Sequence, residues 1–220
     1  MSTNNTKLLS VLAYETVKDK ILRMEYPPGM VLTESMLSKE LDISRMPVRS
    51  AMQSLQEEGW LDNSNRKKIC VSKISQKDVN EVYDLRELIE CASLSKIFEI
   101  KKTWEYSFKL ESIVLQIREN INDQFMVEQL DLNFHTCLVT IFDNERLDKV
   151  FSNNREEIIR MGMMHTGKKE ENDNIVDELM LIINAIRDND PVVAKRLHLD
   201  HLRNGRNTTL SDLALITTNL

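Results

Sequence analysis

The chain has 220 residues, 41% hydrophobic and 29% charged, a globular composition rather than a low-complexity or fibrous one. No apolar run is long enough to span a bilayer, and the opening MSTNNTKLLS lacks the basic-then-apolar layout of a signal peptide, so a cytoplasmic protein with no membrane partner is expected. The net charge of −6 divides unevenly: residues 1–75 hold eleven Lys/Arg against nine Asp/Glu and the remainder eighteen against twenty-six, a slightly basic unit before an acidic one, which suits local phosphate contact better than general polyanion binding.

Residues 1–7 are polar and expected to be disordered. Val11, Tyr14, Val17, Ile21 and Met24 then recur at helical spacing, and Tyr26-Pro27-Pro28-Gly29 stops that helix. From Thr33 to Gly59 the chain reads as two short helices joined by a turn. Thr33 is an N-cap for the first, and Met36, Leu37 and Leu41 give it an apolar side. Asp42-Ile43 makes the turn and Ser44 caps the second helix. Pro47 falls in its first turn, where a missing N–H removes no intrahelical bond. Val48, Ala51, Met52 and Leu55 form a buried stripe, while Arg45 and Arg49, four apart, share a face near the helix's positive end. A helix-turn-helix that reads DNA needs this layout; an ordinary helical hairpin with solvated arginines has it too.

The stretch after the second helix favours DNA. Gly59 suits a left-handed C-cap, and two β-prone runs, Trp60-Leu61-Asp62 and Ile69-Cys70-Val71, flank a polar tip that includes Arg66, Lys67 and Lys68. A hairpin directly after a second helix makes a winged helix-turn-helix, and its basic tip suits phosphates or a minor groove. Ser75, with Asp78 three residues on, is close to a capping box and sets the boundary between a domain at 1–74 and one at 75–207, with 208–220 as an unplaced tail. From Gln76 onward only helical periods occur: about 76–100, 104–121, 127–142, 145–163, 175–187 and 191–206, with a polar loop over Gly167–Asp173. The fold class expected is mainly α, a winged helix followed by an all-α six- or seven-helix bundle. Cys70, Cys91 and Cys137 show no metal-type spacing and read as reduced thiols.

The run Pro28-Gly29, Leu32, Glu34, Leu37, Leu41, Ser44-Arg45, Pro47-Val48-Arg49, Ala51, Leu55 and Glu58-Gly59 resembles the GntR family of bacterial transcriptional regulators. Met46, Ser50 and Lys67 depart from its usual threonine, glutamate and glycine. The start of the second domain, Asp78, Glu81, Arg86, Ile89-Glu90 and Ser93, resembles the FCD domain of the family's FadR-like branch. That resemblance implies a homodimer that binds a near-palindromic operator in double-stranded DNA, and a small-molecule effector, an organic acid, bound in the bundle to control operator affinity. Thr33, Ser44, Arg45, Met46, Arg49, Arg66, Lys67 and Lys68 are the implied DNA-contacting positions.

The branch commonly holds a divalent metal with one aspartate and three histidines, and Asp131, His135 and His201 match three of those places. The fourth is Leu179, which cannot ligate, so a zinc-like ion would rest on three protein ligands plus water or an effector oxygen. His198 and His165 are the other histidines; in the helical register His198 points elsewhere, and His165 lies in the loop region. Asp131, His135 and His201 read equally well as polar effector contacts without an ion. Arg86, set among apolar residues, needs an anionic partner: an internal Glu or Asp, or the effector's carboxylate. Two rival readings remain open on the sequence, a metal-dependent enzyme and a protein-interaction module, each with an accessory winged domain. The absence of a convincing general base set argues against the enzyme.

Overall fold

The computed structural model describes residues 2–63, 68–165 and 169–218, the side chains at 2–5, 169, 170 and 216–218 excepted. The chain divides into two compact units, 1–74 and 75–220. Among the described residues no helix is long and apolar enough to cross a membrane.

In the first unit, α1 (Ser2–Leu22), α2 (Glu34–Glu40) and α3 (Arg45–Glu57) pack around one apolar cluster. α1 begins at Ser2, which corrects the expectation of disorder over residues 1–7. The stripe is also re-aimed: Ala13, Val17 and Ile21 are buried at i, i+4, i+8, while Val11 is half exposed. Val48, Met52 and Leu55 of α3 and Leu37 of α2 complete the cluster.

Both helices of the hairpin end the same way. Asp42 (φ +53°) and Gly59 (φ +82°) take the left-handed conformation just past α2 and α3. The Ile43 N–H then donates to the Ser38 carbonyl at 3.2 Å and the Trp60 N–H to the Leu55 carbonyl at 2.8 Å, so each closes its helix with a Schellman bond. The wing pairs β1 (Leu61–Asp62) antiparallel with β2 (Cys70–Val71). A third extended stretch before α2 joins it: Gly29 N–H donates to Val71 O at 2.8 Å and Leu32 N–H to Ile69 O at 2.9 Å.

The second unit has seven α-helices among its described residues: α4 (Gln76–Glu99), α5 (Thr103–Glu119), α6 (Gln124–Val139), α7 (Glu145–Asn153), α8 (Arg155–Gly162), α9 (Lys169–Arg187) and α10 (Pro191–Thr218). Ser75 and Asp78 form a reciprocal capping box that starts α4. The core lies between α4, α5, α6, α9 and α10, with Phe134, Leu138, Leu179, Ile182 and Ile186 fully buried.

Three expectations change. The single helix over 145–163 is two, broken at Asn154, whose side chain donates to the Val150 carbonyl at 2.7 Å. The loop over Gly167–Asp173 is helical from Lys169: acidic residues suit a helix N-terminus, and buried Asn172 anchors the turn to the Ile121 carbonyl. Gly167 and Lys168 lie outside the described residues. The tail beyond 207 continues α10 to Thr218, because Thr209 is fully buried, 3.4 Å from the Tyr83 hydroxyl.

The two left-handed residues give opposite expectations. Gly59→Ala, with nothing within 4 Å of the added Cβ, carries backbone strain alone and should destabilise the winged unit by about 1–2 kcal/mol. Asp42→Gly should stabilise it by about 1 kcal/mol or less, since Asp tolerates this region better than most residues. Urea midpoints followed by Trp60 fluorescence in a Trp104→Phe background measure both.

Candidate functional site

α3 buries Pro47, Val48, Ala51, Met52 and Leu55 and leaves Ser44, Arg45, Met46, Arg49 and Ser50 exposed at its N-terminal end. Ser44 stands at the N-cap but makes no side-chain cap bond. An N-cap hydroxyl accepts from the N–H two or three residues on, and the third residue is Pro47, which has none. Of the two usual donors only the Met46 N–H remains, and Ser44 does not take it. Thr33 behaves differently: its Oγ1 accepts from Met36 N–H at 3.1 Å.

Arg49 lies against Glu34, with Nε and Nη2 donating to Oε1 and Oε2 at 2.7 and 2.8 Å. The hydrogen bonds hold the Glu34 carboxyl below its usual range and raise the guanidinium. At this exposure the pair adds little stability, but it orients the fork. Arg45 Nη2 is 3.5 Å from Ser35 Oγ. Lys68 is exposed, and Arg66 and Lys67 lie outside the described residues.

In the helical unit, Asp131 and His135 of α6 meet His201 of α10. His135 Nε2 is 3.4 Å from Asp131 Oδ2 and 3.2 Å from His201 Nε2, and His201 Nε2 is 3.8 Å from Asp131 Oδ1. Ligand atoms about 2.1 Å from one ion, at angles near 90–110°, stand about 3.0–3.5 Å apart. The two histidine nitrogens have that spacing, and the Asp131 carboxylate approaches each of them through a different oxygen, with one ligand atom from each residue lying within 4.8 Å of the others.

A carboxylate behind each ring turns the Nε2 atoms inward. His135 Nδ1 is 2.6 Å from Glu90 Oε2, and His201 Nδ1 is 2.8 Å from Glu178 Oε2. A carboxylate only accepts, so each ring donates from Nδ1. Two Nε2 lone pairs then face each other, an arrangement relieved by a proton or a cation. Asp131 Oδ1, buried beside them, has no hydrogen-bond partner. The residues therefore fit a divalent ion: Asp131, His135 and His201 would hold it, Glu90 and Glu178 would orient the rings, and it would supply Lewis acidity towards an oxygen ligand.

Leu179 is fully buried in the core, and its neighbour Glu178 faces the histidines instead. His198 turns away from Asp131. Its Nε2 lies 2.9 Å from Glu90 Oε2 at an angle that makes no hydrogen bond, and both its ring nitrogens are buried without partners. Glu90, His135 and His198 form a second group with metal-ligating atoms close together, but the 2.6 Å approach of His135 to Glu90 is a hydrogen bond, too short for two ligands of one ion. His165 pairs with Asp212 of α10 at 2.8 Å.

Arg86 takes the internal pairing, Nε donating to Glu90 Oε1 at 2.9 Å, yet its buried Nη2 has no partner. Sequence reasoning missed Glu90, Glu178, Gln124 and Glu128 as members of the site, and it set His198 aside without seeing its approach to Glu90. The one local signal was the i, i+4 spacing of Arg86 and Glu90.

Electrostatics bind the group. Burial would raise the Glu90 carboxyl, but His135 and Arg86 outweigh it and hold the group well below the usual range. Burial likewise opposes ionisation of Asp131, and His135, His201 and Arg86 again win. Burial and Arg86 lower His135; Glu90 and Asp131 overcome both and raise it. At Glu128 burial, aided by Asp131, outweighs Arg86 and the Gln124 hydrogen bond and pushes the carboxyl up to about 8. Beside the cluster is a cavity of about 370 Å³, whose wall includes Arg86, Gln124, Glu128, Asp131, Glu178 and His201.

Residues 9–71 match the family described as bacterial regulatory proteins, gntR family, and residues 81–204 match the FCD domain. The chain is 24% identical over 191 residues to the uncharacterized HTH-type transcriptional regulator YdhC of Bacillus subtilis (strain 168), covering 86% of this chain and 85% of that one. It is 26% identical over 205 residues to the HTH-type transcriptional repressor RspR of Escherichia coli (strain K12), covering 91% and 88%. The solved structure of E. coli McbR/YncC shares the fold, with a TM-score of 0.66 at 15% identity over 92% of this chain and 97% of that one.

The donor geometry sets an expectation for metal. Protein purified without chelator should carry a divalent ion by elemental analysis, and His135→Ala should lose it. Glu178→Gln should keep the site but weaken it about 10–100-fold in competition with a chromophoric chelator. Equal metal content in the wild type and His135→Ala would remove the site.

Proposed function

The chain belongs to the gntR family of bacterial regulatory proteins, with an FCD domain as its helical unit, and is a transcriptional regulator; on that premise we propose that it is a cytoplasmic homodimer whose affinity for a near-palindromic operator is set by a small organic acid bound in the helical cavity. The observation that carries the DNA half is the exposed N-terminal face of α3. Arg45 and Arg49 stand there over a fully buried apolar stripe, at the positive end of a helix whose first turn holds no acidic residue. Each α3 enters the major groove, where Arg45 and Arg49 reach base edges or phosphates and the exposed Met46 offers an apolar contact. Ser44 and Thr33 lie against the phosphate backbone, which Arg66, Lys67 and Lys68 also contact. Arg49 exchanges Glu34 for the nucleic acid, a trade that costs little because the pair is exposed.

The effector half rests on the cavity. Arg86 Nη2 is a buried cationic donor without an acceptor, and the Asp131–His135–His201 group, holding a zinc-like ion, leaves positions for oxygen ligands. A carboxylate satisfies both. Its binding favours one arrangement of the dimer over another and so changes operator affinity.

The DNA half is tested on an operator selected in vitro from random duplexes. Arg45→Ala with Arg49→Ala should weaken binding at least tenfold and flatten the salt dependence, by about 0.9 in the log–log slope for each phosphate no longer neutralised. Unchanged affinity and slope would exclude contact through this face.

A further inference from the structure

The buried polar atoms of the cavity without hydrogen-bond partners are of two kinds. At Arg86, Nη2 is a donor lacking an acceptor. On α6 the demand is reversed: Gln124 Oε1 is buried without a donor, and one turn on Glu128 accepts only from Gln124 Nε2, at 2.7 Å. Among the described residues no cation pairs with Glu128, which is 8% exposed. A buried carboxyl without a counter-charge is expensive, and an apolar side chain of similar size would serve packing better.

Gly162 indicates that the carboxyl is accommodated rather than merely tolerated. It is the last residue of α8, a helical position where glycine has no propensity advantage over alanine. A Cβ there would lie 1.8 Å from Glu128 Oε2 and 2.3 Å from the carboxyl carbon. The missing side chain is the space the carboxyl occupies, and both residues line the cavity.

Resting on the reading that a carboxylate ligand binds in this cavity, we infer that Gln124 and Glu128, seated over Gly162, form a second subsite for a ligand's protonated amine. The ligand is then zwitterionic, an amino acid or amino-substituted acid, with its carboxylate at Arg86 and the Asp131–His201 end. An ammonium carries three donors for the acceptors grouped on α6, whereas a hydroxyl carries one. It also gives Glu128 the counter-charge it lacks, favouring ionisation of a carboxyl that burial pushes up to about 8.

Isothermal titration calorimetry on the full chain tests this. The probes are L-amino acids and ω-amino acids of three to six carbons, each matched with the hydroxy and unsubstituted acid of the same skeleton. At least one amino member should bind about tenfold or more tightly than its hydroxy partner. Glu128→Gln should reduce that preference to about twofold while leaving metal content, hydroxy-acid affinity and the unliganded melting temperature in place. Gly162→Ala, which displaces the carboxyl without removing it, should weaken the preference in the same direction. Binding of hydroxy and unsubstituted acids with no amine preference, or a preference that survives Glu128→Gln, overturns the amine subsite alone. No binding by any member overturns the carboxylate reading of the cavity and the subsite together.

Discussion

One carboxylate organises the helical unit. Glu90, fully buried on α4, accepts from Arg86 on its own helix and from His135 on α6, and has His198 of α10 2.9 Å away. Burying ions costs several kcal/mol each unless partners are close and well aligned, so the pairing is poorly tolerant of helices that shift past one another. Arg86 and Glu90 are neutral as a pair, and His135 completes the set from a different helix. The position of His135 Nε2, and with it the spacing to Asp131 and His201, is set by a contact made on the opposite side of the ring. The site facing the cavity is therefore only as well placed as the contact behind it.

The winged unit solves a related problem at its surface. A helix that presents its N-terminus to an anion gains from leaving capping groups free, yet an uncapped end is less stable. Pro47 reconciles the two. It removes one orphan N–H from α3 and pre-sets its own φ, and the same loss takes from Ser44 one of its two usual cap donors. α2, whose third residue is not proline, keeps its Thr33 cap. The two helices differ at the residue where their roles differ.

Much of this was legible in the sequence because the signals were local. The Ser75–Asp78 capping box, the buried face of α3, Gly59 and the i, i+4 pair Asp131–His135 each lie within a few turns of chain, and spacing alone exposes them. Glu178 and the approach of His198 to Glu90 were illegible for the opposite reason. Their roles depend on which rings they meet across helix boundaries, and nothing in their own neighbourhoods specifies that. The start of α9 was misread because polarity was taken for irregularity, and the end of α10 was left unplaced. Asn172 and Thr209 are polar residues whose side chains are tied down by the Ile121 carbonyl and by Tyr83 and Gly205, contacts invisible to a periodicity argument.

Leu179 shows how one helix can serve core and cavity at once. Adjacent positions on a helix are about 100° apart, so a residue directed into the core and its predecessor cannot both face the same way. With leucine at 179 filling the apolar cluster beside Ile182 and Ile183, Glu178 projects towards His201 and accepts from its Nδ1. α9 thereby contributes orientation in place of a ligand atom. An ion held by Asp131, His135 and His201 alone has more of its coordination left for whatever enters the cavity. That ties its retention more closely to the ligand than a four-ligand site would. In such a site, ion and effector bind as linked partners, each raising the other's affinity by the same factor.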